Sequence, residues 1–416
     1  MKADQEIAGG AQRLHGLDAV RGYALLLGIV YHATMSFLPG PPIWVVEDPH
    51  KSLLLSGLFY VSHMFRMTTF FLIAGFFSHM VVGKRGLKAW VKDRAKRIAV
   101  PLVVGWPILI ASILAASIYG AYVMTGHIPT KPPPADPQAP PLAFPLTHLW
   151  FLYLLLWLYA ATLGLRAAVA RLDTRGRFRK AADAGLAGVV ESPLAPMVMA
   201  IPTALAFLFC GPWRGWFGIA TPDNSLIPNA QAAVAYFSAF GLGWLLHRQA
   251  GLINIFARRW RLNLALALGL TAGCLGYVGA VPRVEAFAPS PATAAYALAY
   301  SVACWAWTFA VIGLSLKYLS KESPVRRYVA DSSYWLYLIH LPIVMVLQAM
   351  VVKLDLPAEV KILIVLAAAF PLMFASYQLM VRRTVVGAIL NGRRAPRRQR
   401  GSTASASLTA SPEPAE

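Results

Sequence analysis

Charge is scarce in this sequence. Only 13% of its 416 residues are Asp, Glu, Lys or Arg, where a soluble domain carries about 25%. With 57% hydrophobic residues, this excludes an ordinary water-soluble domain and implies a membrane protein. Cysteine is also sparse. Cys210, Cys274 and Cys304 all lie in apolar stretches, which argues against a disulfide-stapled secreted fold or a cysteine-built zinc site and predicts core packing for all three. Carboxylates are absent from the apolar runs except for Asp18 at a boundary, which disfavours transporters that run on buried acids. No Walker loop, dinucleotide fingerprint, GxSxG elbow or His/Asp/Glu metal cluster is present, so no metal is expected. The net charge of +20 does not indicate a nucleic-acid partner, because the basic residues sit between apolar runs and not on one face of a soluble module.

What is abundant is apolar sequence in lengths suited to a bilayer, about 20 residues each. Ten such runs lie near 17–38, 57–82, 98–122, 146–165, 194–210, 230–247, 262–281, 291–316, 333–352 and 360–381. The predicted fold is therefore all-α, a polytopic membrane bundle of about ten helices. Basic residues set its orientation, since Lys and Arg stay on the cytoplasmic side. Alternate connections and the two ends hold 30 of the 38, against six on the other side, which places both termini in the cytoplasm. The division is a cytoplasmic segment 1–16, a membrane domain 17–381 and a basic tail 382–416. The first helix, polar at its start and containing Asp18 and Arg21, reads as a retained insertion signal. Residues 127–145 contain eight prolines and predict a stiff polyproline stretch on the outer side. The tail reads as disordered and lying on the anionic inner leaflet.

Ionisable residues inside apolar helices are costly and lead the search for function. Arg21 and His32 are eleven residues apart, within about 20° of three full turns and roughly 16 Å along the axis. They share one face, with Asp18 placed to pair with Arg21. A snorkelling arginine and a satisfied core histidine remain the structural alternative. In the second run, His63 and Arg66 are three apart near mid-membrane, and a guanidinium there needs an anion or several carbonyls. Gly75 in the same run permits close helix approach. Arg94 and Arg97, one turn apart before the third run, are spaced to grip phosphate. His148 and Trp150 open the fourth run in HLWFL, and Tyr337 and His340 are one turn apart in DSSYWLYLIHLP. Elimination favours a histidine-centred membrane enzyme.

Five segments carry a resemblance: LDAVRGYALLLGIVYH, SHMFRMTTFFLIAGFFS, KAWVKDRAKRIAVPL, THLWFLYLLL and SSYWLYLIH. In this order they resemble the acyltransferase-3 family of membrane O-acyltransferases, and within it a narrower glucan-modifying group of Gram-negative bacteria. The resemblance implies a protein of the bacterial inner membrane that moves an acyl group from cytoplasmic acyl-CoA to sugar hydroxyls across the membrane. For the narrower group the acyl group is succinyl and the acceptor is periplasmic glucan. The partners implied are acyl-CoA as co-substrate, with no permanently bound cofactor, an exported glycan and the lipid bilayer. The family's motifs point to Arg21 and His32, and to Arg94 and Arg97. Ala74 stands where many members carry serine. Read from the chemistry, His32 would accept the hydroxyl proton, with Arg66, His63 or His340 stabilising the developing charge. A covalent acyl-His32 is the competing route. Arg94 and Arg97 would hold CoA phosphates, and His148, Trp150 and Tyr337 the substrate. An acetyl transferase acting on lipopolysaccharide or capsule, and a non-enzymatic exporter of anionic glycan, are the alternative readings.

Overall fold

The computed structural model describes residues 2–129 and 142–392, with side chains from residue 15 onward. Most of the proline-rich stretch and the tail beyond 392 lie outside the described residues. The chain runs α1 (Lys2–Thr34), α2 (Leu53–Arg94), α3 (Val100–Thr125), α4 (Trp150–Leu172), α5 (Arg177–Glu191), α6 (Ala195–Phe209), α7 (Ala230–Arg248), α8 (Ile253–Val278), α9 (Pro291–Tyr318), α10 (Pro324–Val351), α11 (Ala358–Ser376) and the short α12 (Val385–Leu390). Among the described residues there is no strand, only an isolated bridge between Ala143 and Ser225.

Each of the ten apolar runs falls on a helix. By length and hydropathy, however, six helical segments suffice to cross a membrane, or seven if α5 and α6, which meet at 111°, count as one. The main difference from the sequence reading is at the basic stretch Lys84–Arg97, expected as a connection. It is helical, so that Leu53–Thr125 forms one helical segment of 73 residues. Straight, that length would reach about 110 Å at 1.5 Å per residue, far beyond a core of about 30 Å. Gly86, at φ 77° and ψ 167°, breaks it, and Ala95–Ala99 forms a π-turn before α3. Lys, Arg and Ala are good helix formers, so polarity alone did not mark a loop here.

Small residues let the helices touch. A Cβ at Gly75 on α2 would overlap the carbonyl oxygen of Phe240 on α7, and one at Gly243 on α7 would overlap that of Leu72 on α2. The two glycines thus allow reciprocal backbone contact, the close approach expected at Gly75. Gly313 on α9 meets the Phe256 carbonyl of α8 in the same way. Around α2, α1 packs on α10 and α9. The arrangement turns the polar faces of α1, α2, α4 and α10 towards one another. One cysteine departs from expectation. Cys274 and Cys304 are buried, but Cys210, just past the end of α6, is exposed, because the chain leaves the helix there.

Candidate active site

Three cavities follow one another between these helices. The first, called inner only for its basic lining, is about 170 Å³ and is lined by Arg21, Ala74, Arg94, Arg97, Tyr159 and Tyr334, among others. A narrow middle cavity of about 40 Å³ is lined by Gly28, His32, Arg66, His148, Trp150 and His340. An outer cavity of about 270 Å³ is lined by Tyr31, Trp44, His63, Thr147, Thr221 and Asp223. Leu25, Phe70, Phe151 and Tyr337 border both the inner and the middle spaces. His32, Arg66, Met67, His148 and Trp150 border both the middle and the outer spaces. All ten residues assigned from sequence to catalysis or binding therefore line this one series, Arg21, Arg94 and Arg97 at one end and His63 at the other.

The middle cavity gathers three histidines from three helices. The ring centroids of His32 and His340 are 5.1 Å apart, and those of His148 and His340 are 5.2 Å apart. Hydrogen bonds to carbonyls fix which nitrogen carries the proton, because a carbonyl only accepts. Nδ1–H of His340 donates to the Tyr337 carbonyl at 2.6 Å, leaving a lone pair on Nε2. Nε2–H of His148 donates to Leu338 at 2.9 Å, and Nε2–H of His63 donates to Ile219 at 3.1 Å. The Tyr337 hydroxyl donates to the His148 carbonyl at 2.6 Å and pins that turn. His148 and Trp150 are both buried, Trp150 stacking on Tyr236 at 5.8 Å.

Several polar atoms at this centre have no hydrogen-bond partner among the described residues. They are Nδ1 of His32, Nδ1 of His63, Nε2 of His340 and Nη1 of Arg66. A buried polar atom left unpaired costs about 1–3 kcal/mol, and an unpaired charge more. Four such atoms on residues that line adjoining cavities mark a place built for a ligand. Arg66 is only 7% exposed. Its Cζ lies 4.3 Å from the centroid of the Tyr31 ring, which supplies a cation–π contact but no counter-charge. Gly28 lies beside it, and a Cβ there would stand in ordinary van der Waals contact with Nη1 at 3.5 Å.

At the inner end, Arg21 pairs with Asp18 at 3.2 Å, as their spacing predicts. Arg94 and Arg97 share Asp93, at 2.9 and 3.0 Å. The π-turn begins directly after Arg94 and brings both guanidiniums to the cavity, a local distortion common at functional sites. Arg94 Nε is buried without a partner among the described residues. Ala74 also lines this cavity and brings no hydroxyl to it. Among the described residues, no group of three or more His, Cys, Asp or Glu side chains is arranged to hold a metal ion.

Sequence reasoning missed the supports of the outer cavity. Gln348 is buried and donates from Nε2 to the carbonyls of His32 and Ala33, both at 3.1 Å, while its Oε1 accepts from Trp44 Nε1 at 2.9 Å. Lys361, near the start of α11, is fully buried. Its ammonium donates to both carboxylate oxygens of Asp48 at 2.9 and 2.8 Å and to the Val352 carbonyl at 3.1 Å. This pair ties the loop bearing Trp44 to α11. No periodicity announces it, because Asp48 and Lys361 are 313 positions apart.

Comparison with known proteins bears on this geometry. Residues 14–381 match the family described as an acyltransferase domain, acyltransferase-3. The chain belongs to the acyltransferase-3 family. It is thus an acyltransferase, and with its several apolar helices a multi-pass membrane protein. Among curated relatives, it is 38% identical over 99 residues to glucans biosynthesis protein C of Escherichia coli strain SMS-3-5 / SECEC. It is 37% identical over the same length to the protein of that name in strain K12. Each match covers 24% of this chain and 25% of the relative, so the similarity spans about a quarter of either. No solved structure matches the chain.

Proposed function

We propose that this acyltransferase takes a succinyl group from acyl-CoA on the cytoplasmic side of the bacterial inner membrane and passes it to a hydroxyl of periplasmic glucan. One observation carries the reading: His32 lines a middle cavity that borders an arginine-lined space at Tyr337, Phe70 and Phe151, and His32 itself borders an aromatic and hydroxyl-lined space on the other side. The topology that goes with it has ten crossings and both termini in the cytoplasm. Its support is the bias of 30 basic residues against six.

In this reading Arg94 and Arg97 hold the CoA phosphates, and the pantetheine arm passes Tyr337, Phe70 and Phe151 to bring its thioester to the middle cavity. The acceptor hydroxyl comes from the outer side. His32 takes the hydroxyl proton as the oxygen attacks the thioester carbonyl. The Arg66 guanidinium stabilises the oxyanion or holds the succinyl carboxylate. Collapse breaks the C–S bond, and the proton on His32 passes to the departing thiolate, so that free CoA and a sugar ester leave. His340 packs against the His32 ring and His148 against His340, and Arg21 keeps the inner mouth cationic.

The test is acyl transfer from succinyl-CoA to glucan by the purified protein, with donor binding measured separately. His32→Ala should abolish transfer and leave CoA binding intact, whereas replacing Arg94 and Arg97 together should mainly weaken CoA binding. Thioester consumption that persists in His32→Ala contradicts the assigned role. Efficient transfer from acetyl-CoA but not succinyl-CoA contradicts the donor.

A further inference from the structure

The outer cavity contains a carboxylate that none of the chemistry above uses. Asp223 lies on the stretch between α6 and α7, and the aromatic surfaces of Trp44, Trp150 and Tyr31 line the same space. Thr147 and Thr221 add hydroxyls to the lining. We propose that this space is a subsite for a neutral pyranose, in which Asp223 accepts hydrogen bonds from sugar hydroxyls and Trp44 and Trp150 cover the ring's apolar face. The inference rests on the acyl-transfer reading and extends it by naming what recognises the acceptor.

Three features support it. The first is composition. Sugar rings present C–H faces and a rim of hydroxyls, so they are met by aromatic planes with a few polar groups at the edge. A carboxylate is the strongest acceptor for that rim. The volume, about 270 Å³, corresponds to roughly twenty water-sized positions at about 10–15 Å³ each, which is room for a sugar ring with its substituents.

The second is construction. Asp223 is held by backbone and not left on a free loop. Its carbonyl accepts from Thr147 N–H at 3.0 Å, and the adjacent Asn224 carbonyl accepts from Phe144 N–H at 2.9 Å. Leu226 N–H donates to Leu142 at 3.1 Å, so two segments pair side by side at the cavity rim. Thr147 itself is left-handed at φ 50°, a strained conformation for a β-branched residue that the surrounding contacts must maintain. That turn also positions His148. Trp44 is fixed from the other side through Gln348, which bonds to the carbonyl of His32. One network thus links the aromatic wall to the residue assigned as base.

The third is electrostatic. Asp223 is open to the cavity yet surrounded by protein, and this loss of bulk water pushes its carboxyl above the ordinary carboxylate range. A carboxylate short of water gains most from hydroxyl donors that replace it. Arg66, His32 and His63 border the same cavity, so a sugar seated against Asp223 has the proton-accepting centre beside it.

The test uses the full-length protein in lipid nanodiscs with a neutral β-glucan oligosaccharide as probe, and binding is followed by calorimetry. In parallel, thioester hydrolysis of succinyl-CoA is measured without any glucan. Asp223→Asn and Trp44→Ala should each weaken oligosaccharide binding at least tenfold and raise its KM in transfer. Donor KM should be unchanged in both, and acceptor-free hydrolysis should be unchanged in Asp223→Asn. Trp44→Phe should recover most of the affinity, which a merely structural role at that position would not require. Oligosaccharide binding that is absent in the unsubstituted protein, or unaltered by both substitutions, overturns the subsite. If binding depends on Asp223 but no thioester is consumed, the subsite stands and the acyl-transfer reading falls.

Discussion

Replacing Arg66 by methionine separates a ligand-binding guanidinium from a structural one by sign. Methionine roughly keeps the length and volume of the side chain while removing its charge. The structural loss is the contact with Tyr31 at 4.3 Å, worth about 0.5–2 kcal/mol. Against this stands relief of a buried cation with Nη1 unpaired among the described residues. Exchanging such charges for apolar groups is often neutral, or stabilising by about 1–4 kcal/mol. The folded protein should therefore melt at the same temperature or higher. Activity should move the other way. Removing one donor to a developing oxyanion costs about 2.7–4 kcal/mol, or about 10²- to 10³-fold in kcat. Arg66→Lys, which keeps the charge but not the planar fork, should recover only part of it. Thermal unfolding in detergent and single-turnover transfer from succinyl-CoA read the two effects independently. A variant that loses stability and activity together, or one that retains full activity, refutes the assignment.

Other outcomes follow from the same structure. Lys361→Met alone leaves the buried Asp48 carboxylate without its ammonium and with only its contacts to His50, and should cost about 3–5 kcal/mol, while adding Asp48→Asn should restore most of the melting temperature. No recovery in the double variant would mean that the ammonium acts by more than pairing. Cys210 is exposed and Cys274 and Cys304 are buried, so a membrane-impermeant maleimide should label Cys210 alone. In the proposed orientation it should do so from the periplasmic side of intact cells, and labelling only after lysis would reverse the topology. Asp173, before α5, is held below the ordinary carboxylate range first by the backbone N–H of Arg179, then by that of Phe178 and by the Arg179 side chain. A depressed pKa contributes stability above the unfolded value that is lost as pH falls through the folded one. Hydrogen exchange in the first turn of α5, corrected for its intrinsic rate, should therefore accelerate in acid, and Asp173→Asn should show the acid behaviour already at neutral pH. Equal protection in the variant would dismiss the cap.

Helical periodicity made much of the site legible before any coordinates. The eleven-residue interval between Arg21 and His32 puts both on one groove because 3.6 residues per turn leaves so small a remainder. The three-residue intervals in His63/Arg66 and Tyr337/His340 work by the same rule. What escaped has no period. Asp223, Thr221 and Trp44 lie on irregular segments, where position depends on backbone pairing with distant residues such as Phe144 and Thr147. Lys361 resembles any lysine near a membrane surface until Asp48 is placed beside it. Residues 84–97 read as a connection because their charges signal topology, yet the same residue types favour helix, and local propensity prevailed. α5 was missed for the opposite reason, since it is polar enough to hide from a search for apolar runs.

The central claim is that a thioester reaches His32 from the arginine-lined side and meets its acceptor there. A structure with a non-hydrolysable succinyl-CoA analogue tests it most directly. The account requires the phosphates against Arg94 and Arg97, the arm passing Tyr337, and the carbonyl carbon between His32 and Arg66. An analogue bound with its acyl end facing lipid, or lodged short of the ring formed by Phe70 and Phe151, would contradict it.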